Sequence, residues 1–118
     1  MIRFKDKTSF EERKKSSARL RAKHGNDVYP VVVEPANEKT PPISKNKFLV
    51  PGDFTVGQFV YIVRRKLVDT LSPTQALFVY VRISILPSTS ATIEQIFEEH
   101  HEADGILYIE YSLENTFG

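Results

Sequence analysis

Lys47-Phe48-Leu49-Val50-Pro51-Gly52-Asp53-Phe54-Thr55-Val56-Gly57-Gln58-Phe59 is the stretch in which the backbone period changes. Lys45 to Val50 reads as a strand, stopped by Pro51-Gly52. Thr55 and Gln58 then stand at the spacing of a reciprocal helix cap: the hydroxyl accepts from the N–H three residues on, and the amide side chain reaches back. Beyond that cap Val56, Phe59, Val60, Val63 and Leu67 fall on one helical face. A strand leading into an amphipathic helix calls for further strands on which that face can pack.

The flanks supply them. Tyr29-Pro30-Val31-Val32-Val33 is a β-branched strand signal, followed by a polar, proline-bearing loop from Glu34-Pro35 to Pro41-Pro42. On the C-terminal side Ala76 to Val81 is an almost unbroken apolar run, the pattern expected of a central strand. Thr92 and Gln95 repeat the capping box, opening a helix with Ile93, Ile96 and Phe97 on its apolar face. Asp104-Gly105 makes a turn, and Ile106 to Tyr111 is the last strand. At the N-terminus Ser9 and Glu12 form another capping box. The helix it opens runs to Lys23 and closes at His24-Gly25. Its apolar content is thin, chiefly Phe10, Ala18, Leu20 and Ala22, so it belongs on the surface of something larger. A shorter helical turn is expected within residues 2–8.

This order predicts an α+β fold: a four-stranded mixed sheet with packed helices in the ubiquitin-like β-grasp arrangement, preceded by an N-terminal helical extension. The expected division is an extension at 1–25, a β-grasp core at 26–111 and a flexible tail at 112–118. The length of 118 residues suits one domain with its own core.

Composition removes several classes of function. The absence of cysteine excludes a disulfide framework, a thiolate metal site and a cysteine nucleophile in this chain. No apolar run approaches the ~20 residues of a membrane span, and Met1 to Asp6 lacks the apolar stretch of a secretory signal. The net charge of +1 hides an asymmetry. Residues 1–24 hold nine Lys/Arg against three acids, and residues 83–118 hold seven acids with no Lys or Arg. Two unlike ends can orient partners, or can simply be solvated helices. No nucleic-acid motif accompanies the basic end, so no nucleic-acid partner is expected.

No catalytic constellation is legible. Glu98-Glu99-His100-His101-Glu102 has the residue types of a metal site. Adjacent histidines on a helix nevertheless diverge, and the i, i+4 spacing of a zinc pair is missing. Neither a phosphate loop nor a nucleophile elbow occurs. No enzyme activity, metal or cofactor is expected.

Binding has more support. Lys47 to Val50 reads as an edge strand, either offering backbone groups to an extended peptide or guarded by its lysines against such pairing. Alternation puts Lys47 and Leu49 on one face, Phe48 and Val50 on the other. The chain ends Glu114-Asn115-Thr116-Phe117-Gly118. A glycine carboxylate on a polar tail can pass through a narrow enzyme cleft without a side-chain clash, although glycine is also common at loose termini. Ser112 to Gly118 would span roughly 23 Å when extended.

Taken together, these segments resemble the autophagy-related protein 8 family, which includes the GABARAP-like ubiquitin-like modifiers. The matching stretches are Phe10-Glu11-Glu12-Arg13, Pro30 to Glu34, Lys47-Phe48-Leu49-Val50-Pro51, Thr55-Val56-Gly57-Gln58-Phe59, Ala76-Leu77-Phe78, Pro87 to Thr92, Glu98-Glu99-His100, Leu107-Tyr108 and Tyr111 to Gly118. The resemblance covers almost the whole chain.

It implies attachment through Gly118 to the amine of phosphatidylethanolamine by activating and conjugating enzymes, with a cysteine protease for processing and delipidation. The location implied is cytoplasmic, and the autophagosome membrane when lipidated. It further implies cargo receptors whose aromatic-x-x-aliphatic peptides add a strand beside Lys47 to Val50. On that reading Leu20, Pro30, Lys47, Leu49 and Ile106 form an aromatic pocket. Phe48, Val50, Pro51, Phe54, Phe59 and Ile62 form an aliphatic pocket, while Lys45, Lys47 and Lys66 meet acidic flanks. Three departures bear on those flanks: Ser16 stands where the family usually has an acid, the arginine usual before the first strand is missing from Gly25-Asn26-Asp27-Val28-Tyr29, and Val68-Asp69-Thr70 add length after the central helix. The alternative is an unconjugated ubiquitin-like adaptor in vesicle traffic or on the cytoskeleton.

Overall fold

Three helices start at the three expected capping boxes. In the computed structural model, which describes residues 2–67, 71–81 and 85–115, each box is closed in both directions. Ser9 Oγ accepts from the Glu12 N–H while Glu12 accepts from the Ser9 N–H, both at 3.1 Å. Thr55 and Gln58 exchange the same bonds at 3.1 and 2.8 Å. Thr92 and Gln95 do so at 3.2 and 2.9 Å. Each exchange satisfies backbone donors that a helix start leaves without partners.

The elements in chain order are α1 (Phe4–Lys7), α2 (Phe10–His24), β1 (Val28–Pro35), β2 (Lys47–Pro51), α3 (Val56–Lys66), β3 (Gln75–Val81), α4 (Ile93–His100) and β4 (Leu107–Asn115). The strands form one sheet in the order β2-β1-β4-β3. β1 runs antiparallel to β2 and parallel to β4, and β4 runs antiparallel to β3. This is the mixed ubiquitin-like sheet expected from the element order.

Alternation divides the sheet into two faces. Tyr29, Val31, Val33, Val50, Val79, Val81, Leu107, Ile109 and Tyr111 join Val56, Phe59 and Val63 of α3 and Ile93, Ile96 and Phe97 of α4 in one apolar core. The other face carries Pro30, Val32, Glu34, Tyr108 and Glu110, and α1 lies across it. Arg3 donates to the Pro35 and Ala36 carbonyls at 2.6 and 3.2 Å and pairs with Glu110 at 3.1 Å.

Three expectations need correction. Ala76 to Val81 lies at an edge of the sheet, paired with β4 on one side, and the centre belongs to β1 and β4. An apolar run reports which faces meet apolar matter, and it is silent about how many strands lie alongside. Glu34 and Pro35, expected in the loop, are the last two residues of β1, where parallel pairing with Glu110 and Tyr111 extends the strand. The tail expected from residue 112 is strand as far as Asn115, because β3 continues past the end of β1 and pairs Gln75 with Asn115. Gly118 lies outside the described residues.

The surface position expected for α2 is observed: Ser17 is its one buried residue. What holds the helix down is polar. Arg13 Nε meets the Asp104 carboxylate at 2.9 Å, and the Ser17 hydroxyl donates to the Asp104 carbonyl at 2.6 Å.

Candidate functional site

β2 is five residues long and has β1 on one side only. The direction of its backbone groups follows from two hydrogen bonds at its ends. The Val33 N–H donates to the Asn46 carbonyl at 2.8 Å, and the Gly52 N–H donates to the Asp27 carbonyl at 2.9 Å. In an antiparallel pair, bonded and non-bonded positions alternate. Phe48 opposite Val31 and Val50 opposite Tyr29 therefore turn their N–H and C=O toward β1. Lys47 opposite Val32 and Leu49 opposite Pro30 turn theirs to the open edge. Pro30 and Pro51 both fall on non-bonded positions, so neither missing N–H costs a bond between β1 and β2. Pro51 offers no donor at the open edge, so Lys47 and Leu49 are the residues that present both backbone groups to an added strand.

The side chains beside that edge divide as the alternation requires. Phe48 and Val50 face α3, and the Phe48 ring meets Phe59 edge-on at 5.5 Å between centroids. Val50 and Phe59 are buried, whereas Phe48, Phe54 and Ile62 keep partial exposure. Of the residues expected in the aliphatic pocket, Phe48 and Phe54 pack against the core that holds Val50 and Phe59, and Ile62 is a partly exposed residue of α3. Pro51, expected in the same pocket, belongs by alternation with Lys47 and Leu49.

Pro30, Lys47 and Leu49 share the opposite face. Pro30 and Ile106 are buried, Leu49 is half-buried, and Leu20 on α2 is exposed. Lys45 Nζ lies 5.1 Å from the Phe48 ring centre, so it borders the aliphatic side. Lys47 Nζ lies 5.4 Å from the ring centre of Phe4. Lys66 is exposed in the last turn of α3. Phe4 was not anticipated from the sequence, since nothing local marks a contact between residues 43 positions apart.

Titratable groups elsewhere serve structure. Burial, reinforced by a hydrogen bond to Asp104, pushes the Tyr108 hydroxyl far above its usual range, so it remains a donor. Burial pushes Tyr111 up to about 12, and its hydroxyl donates to the Pro41 carbonyl. His101 stacks on Phe97 with ring centres 4.8 Å apart. His100 Nε2 lies 3.6 Å from Glu99. Among the described residues no group of His, Asp and Glu is placed to hold a metal ion, and no helix is long and apolar enough to cross a membrane.

Comparison with known proteins converges on one family. The family model described as "Autophagy protein Atg8 ubiquitin like" matches residues 12–118. Autophagy-related protein 8 of Mycosarcoma maydis is 47% identical over 116 residues, covering 98% of this chain and 95% of its own. Autophagy-related protein 8d of Arabidopsis thaliana is also 47% identical over 116 residues, covering 98% and 93%. The crystal structure of Trypanosoma brucei ATG8 superposes with a TM-score of 0.85 at 38% identity, covering 100% of this chain and 99% of its own. Plasmodium falciparum Atg8, solved in complex with a Plasmodium falciparum Atg3 peptide, superposes with a TM-score of 0.81 at 32% identity, covering 95% and 96%.

Proposed function

Since this chain belongs to the autophagy-related protein 8 family of ubiquitin-like proteins, we propose that it works in autophagy as a membrane-tethered peptide adaptor, with its tether and its peptide site at different residues. The tether is Gly118, whose carboxyl group, activated and carried as a thioester by the activating and then the conjugating enzyme, forms an amide with the amine of phosphatidylethanolamine as the enzyme thiol leaves. That lipid supplies two acyl chains, enough for stable anchoring where one chain gives only marginal binding. Because the adduct is made and removed by other proteins, this chain needs no catalytic group of its own. It would act from the cytoplasm, and on the autophagosome membrane when lipidated.

The peptide site is the open edge of β2. The observation that carries this reading is the outward direction of the Lys47 and Leu49 backbone groups between two apolar faces. An extended aromatic-x-x-aliphatic segment can pair there. Its aromatic ring would lie on the side of Leu20, Pro30 and Leu49, and its aliphatic residue over Phe48, Phe54 and Ile62. A relative solved with a bound Atg3 peptide supports a peptide-binding role. Ordering a short peptide offsets part of the contact energy, so the expected affinity is about micromolar, ~−8 kcal/mol.

The test is an NMR titration of isotope-labelled protein with one such peptide. Shifts should concentrate on Lys47 to Val50, and Leu49→Ala should weaken binding roughly tenfold. Shifts confined to Leu77–Tyr80, with affinity untouched by Leu49→Ala, would rule this edge out.

A further inference from the structure

The two lysines flanking the open edge are each held against an aromatic ring, on opposite faces. Lys45 lies over Phe48, which is itself part of the apolar wall. Lys47 lies over Phe4, which belongs to α1 and has no place in either pocket. The Phe4 ring is mounted on a segment with several attachments. The Phe4 N–H donates to Glu34 Oε2 at 2.7 Å, and its carbonyl accepts from the Thr8 hydroxyl at 2.8 Å. On one side Arg3 is bonded to Pro35, Ala36 and Glu110. On the other, Lys5 pairs with Glu102 and lies 4.4 Å from the Tyr108 ring centre. The backbone that carries the ring is tied to the sheet, while the lysine that the ring faces is exposed.

We propose that Phe4 is a positioning residue for peptide selectivity: it holds the Lys47 ammonium beside the open edge, ready to meet a carboxylate in the flank of an incoming acidic peptide. This inference rests on the reading of the β2 edge as the peptide site. A ring attracts a cation through its negative face and leaves the charge intact. An ammonium has three donors, so an N–H group turned away from the ring remains available to a carboxylate. A free lysine loses rotamer freedom on pairing, and one already held against a ring loses less. Phe4 thereby acts through Lys47 without touching the peptide.

The experiment uses two peptides with the same aromatic-x-x-aliphatic core, one preceded by three aspartates and the other by three serines. Both are titrated at low and high salt into the wild-type chain and into Phe4→Ala, Phe4→Tyr, Lys47→Ala and the Phe4→Ala/Lys47→Ala double variant. Phe4→Ala should reduce the preference for the acidic peptide about threefold, the size expected of an exposed cation–ring contact. The serine peptide should bind as before. Phe4→Tyr should restore the preference, and Phe4→Ala should have no further effect once Lys47 is alanine.

Equal loss with both peptides would make Phe4 merely structural and overturn the proposal. Tighter acidic-peptide binding in Phe4→Ala would overturn it too, by showing that the ring blocks the lysine. An unchanged preference, with NMR shifts still on Lys47 to Val50, would sink the positioning role alone. Absence of shifts on β2 in the wild type would sink the peptide site itself.

Discussion

Asp104 does more for the architecture than its place in a turn suggests. It is 2% exposed, and its carboxylate accepts from Arg13 Nε at 2.9 Å, from the Tyr108 hydroxyl at 2.5 Å and from the Ile106 N–H at 3.0 Å. Its carbonyl accepts from Ser17. Asp104, three positions before β4, thus ties the N-terminal extension to the sheet. Gly105 beside it has φ of +80°, and a Cβ there would stand 2.8 Å from Ser17 Oγ, so both conformation and space require glycine. Removing one partner of a buried pair leaves the other charge without compensation. Asp104→Ala should therefore lower unfolding stability by about 3 kcal/mol, measured in urea. A loss below about 0.5 kcal/mol, the range of ordinary surface changes, would show that Arg13 and Tyr108 find other partners. The turn at Asp104-Gly105 was legible because Asp-Gly is a local signal. Its tie to Arg13, 91 positions away, was not.

The capping boxes are alike in sequence and unlike in consequence. α3 buries Val56, Phe59 and Val63 behind its box, and its start is stitched to that of α4. The Val56 N–H donates to the Ala91 carbonyl at 2.8 Å, and the Ile93 N–H donates to the Phe54 carbonyl at 2.8 Å. α2 buries only Ser17 and lies outside the core. Thr55→Ala should cost about 1 kcal/mol, and Ser9→Ala less than half of that, because α2 can fray without opening the core. Thermal melts of the two variants would test this, and equal shifts would mean that the extension folds in one cooperative unit with the sheet. All three boxes could be found in the sequence because their residues are three apart. The sheet position of β3 could not. Leu77, Val79 and Val81 turn to the core side while Phe78 and Tyr80 stay partly exposed, and that apolar run looks the same in an edge strand as in a central one.

Across the whole molecule, the strand order separates the two proposed activities. β2 is one lateral edge, and β4 lies two strands in, about 10 Å away at the usual strand spacing. β4 runs parallel to β1 and continues past its end as far as Asn115, paired there with β3 alone. The proposed tether at Gly118 follows β4 in the sequence, whereas the proposed peptide site is on β2. Gly118→Ala should lower the rate of phosphatidylethanolamine conjugation at least about tenfold in a reaction with purified activating and conjugating enzymes, since an added Cβ obstructs close backbone passage. Peptide affinity at β2 should be unchanged. Conjugation of the variant at the wild-type rate would refute the steric argument, and a matching loss of peptide affinity would contradict the separation of sites.

By itself the sequence determined what neighbouring residues decide: the three helix starts, the turn at Asp104-Gly105, the alternation that sends Phe48 and Val50 one way and Lys47 and Leu49 the other, and the mixed sheet that four strands and a crossover helix imply. Caps, turns and periodicity act over a few residues, so they are written in consecutive letters. Only the tertiary structure decided that β3 is an edge, that β4 continues to Asn115, that Asp104 receives Arg13, and that Phe4 meets Lys47. Each of these depends on which distant segments come to lie side by side. That outcome is set by burial of the whole core and the pairing of whole strands, which no local stretch of chain contains.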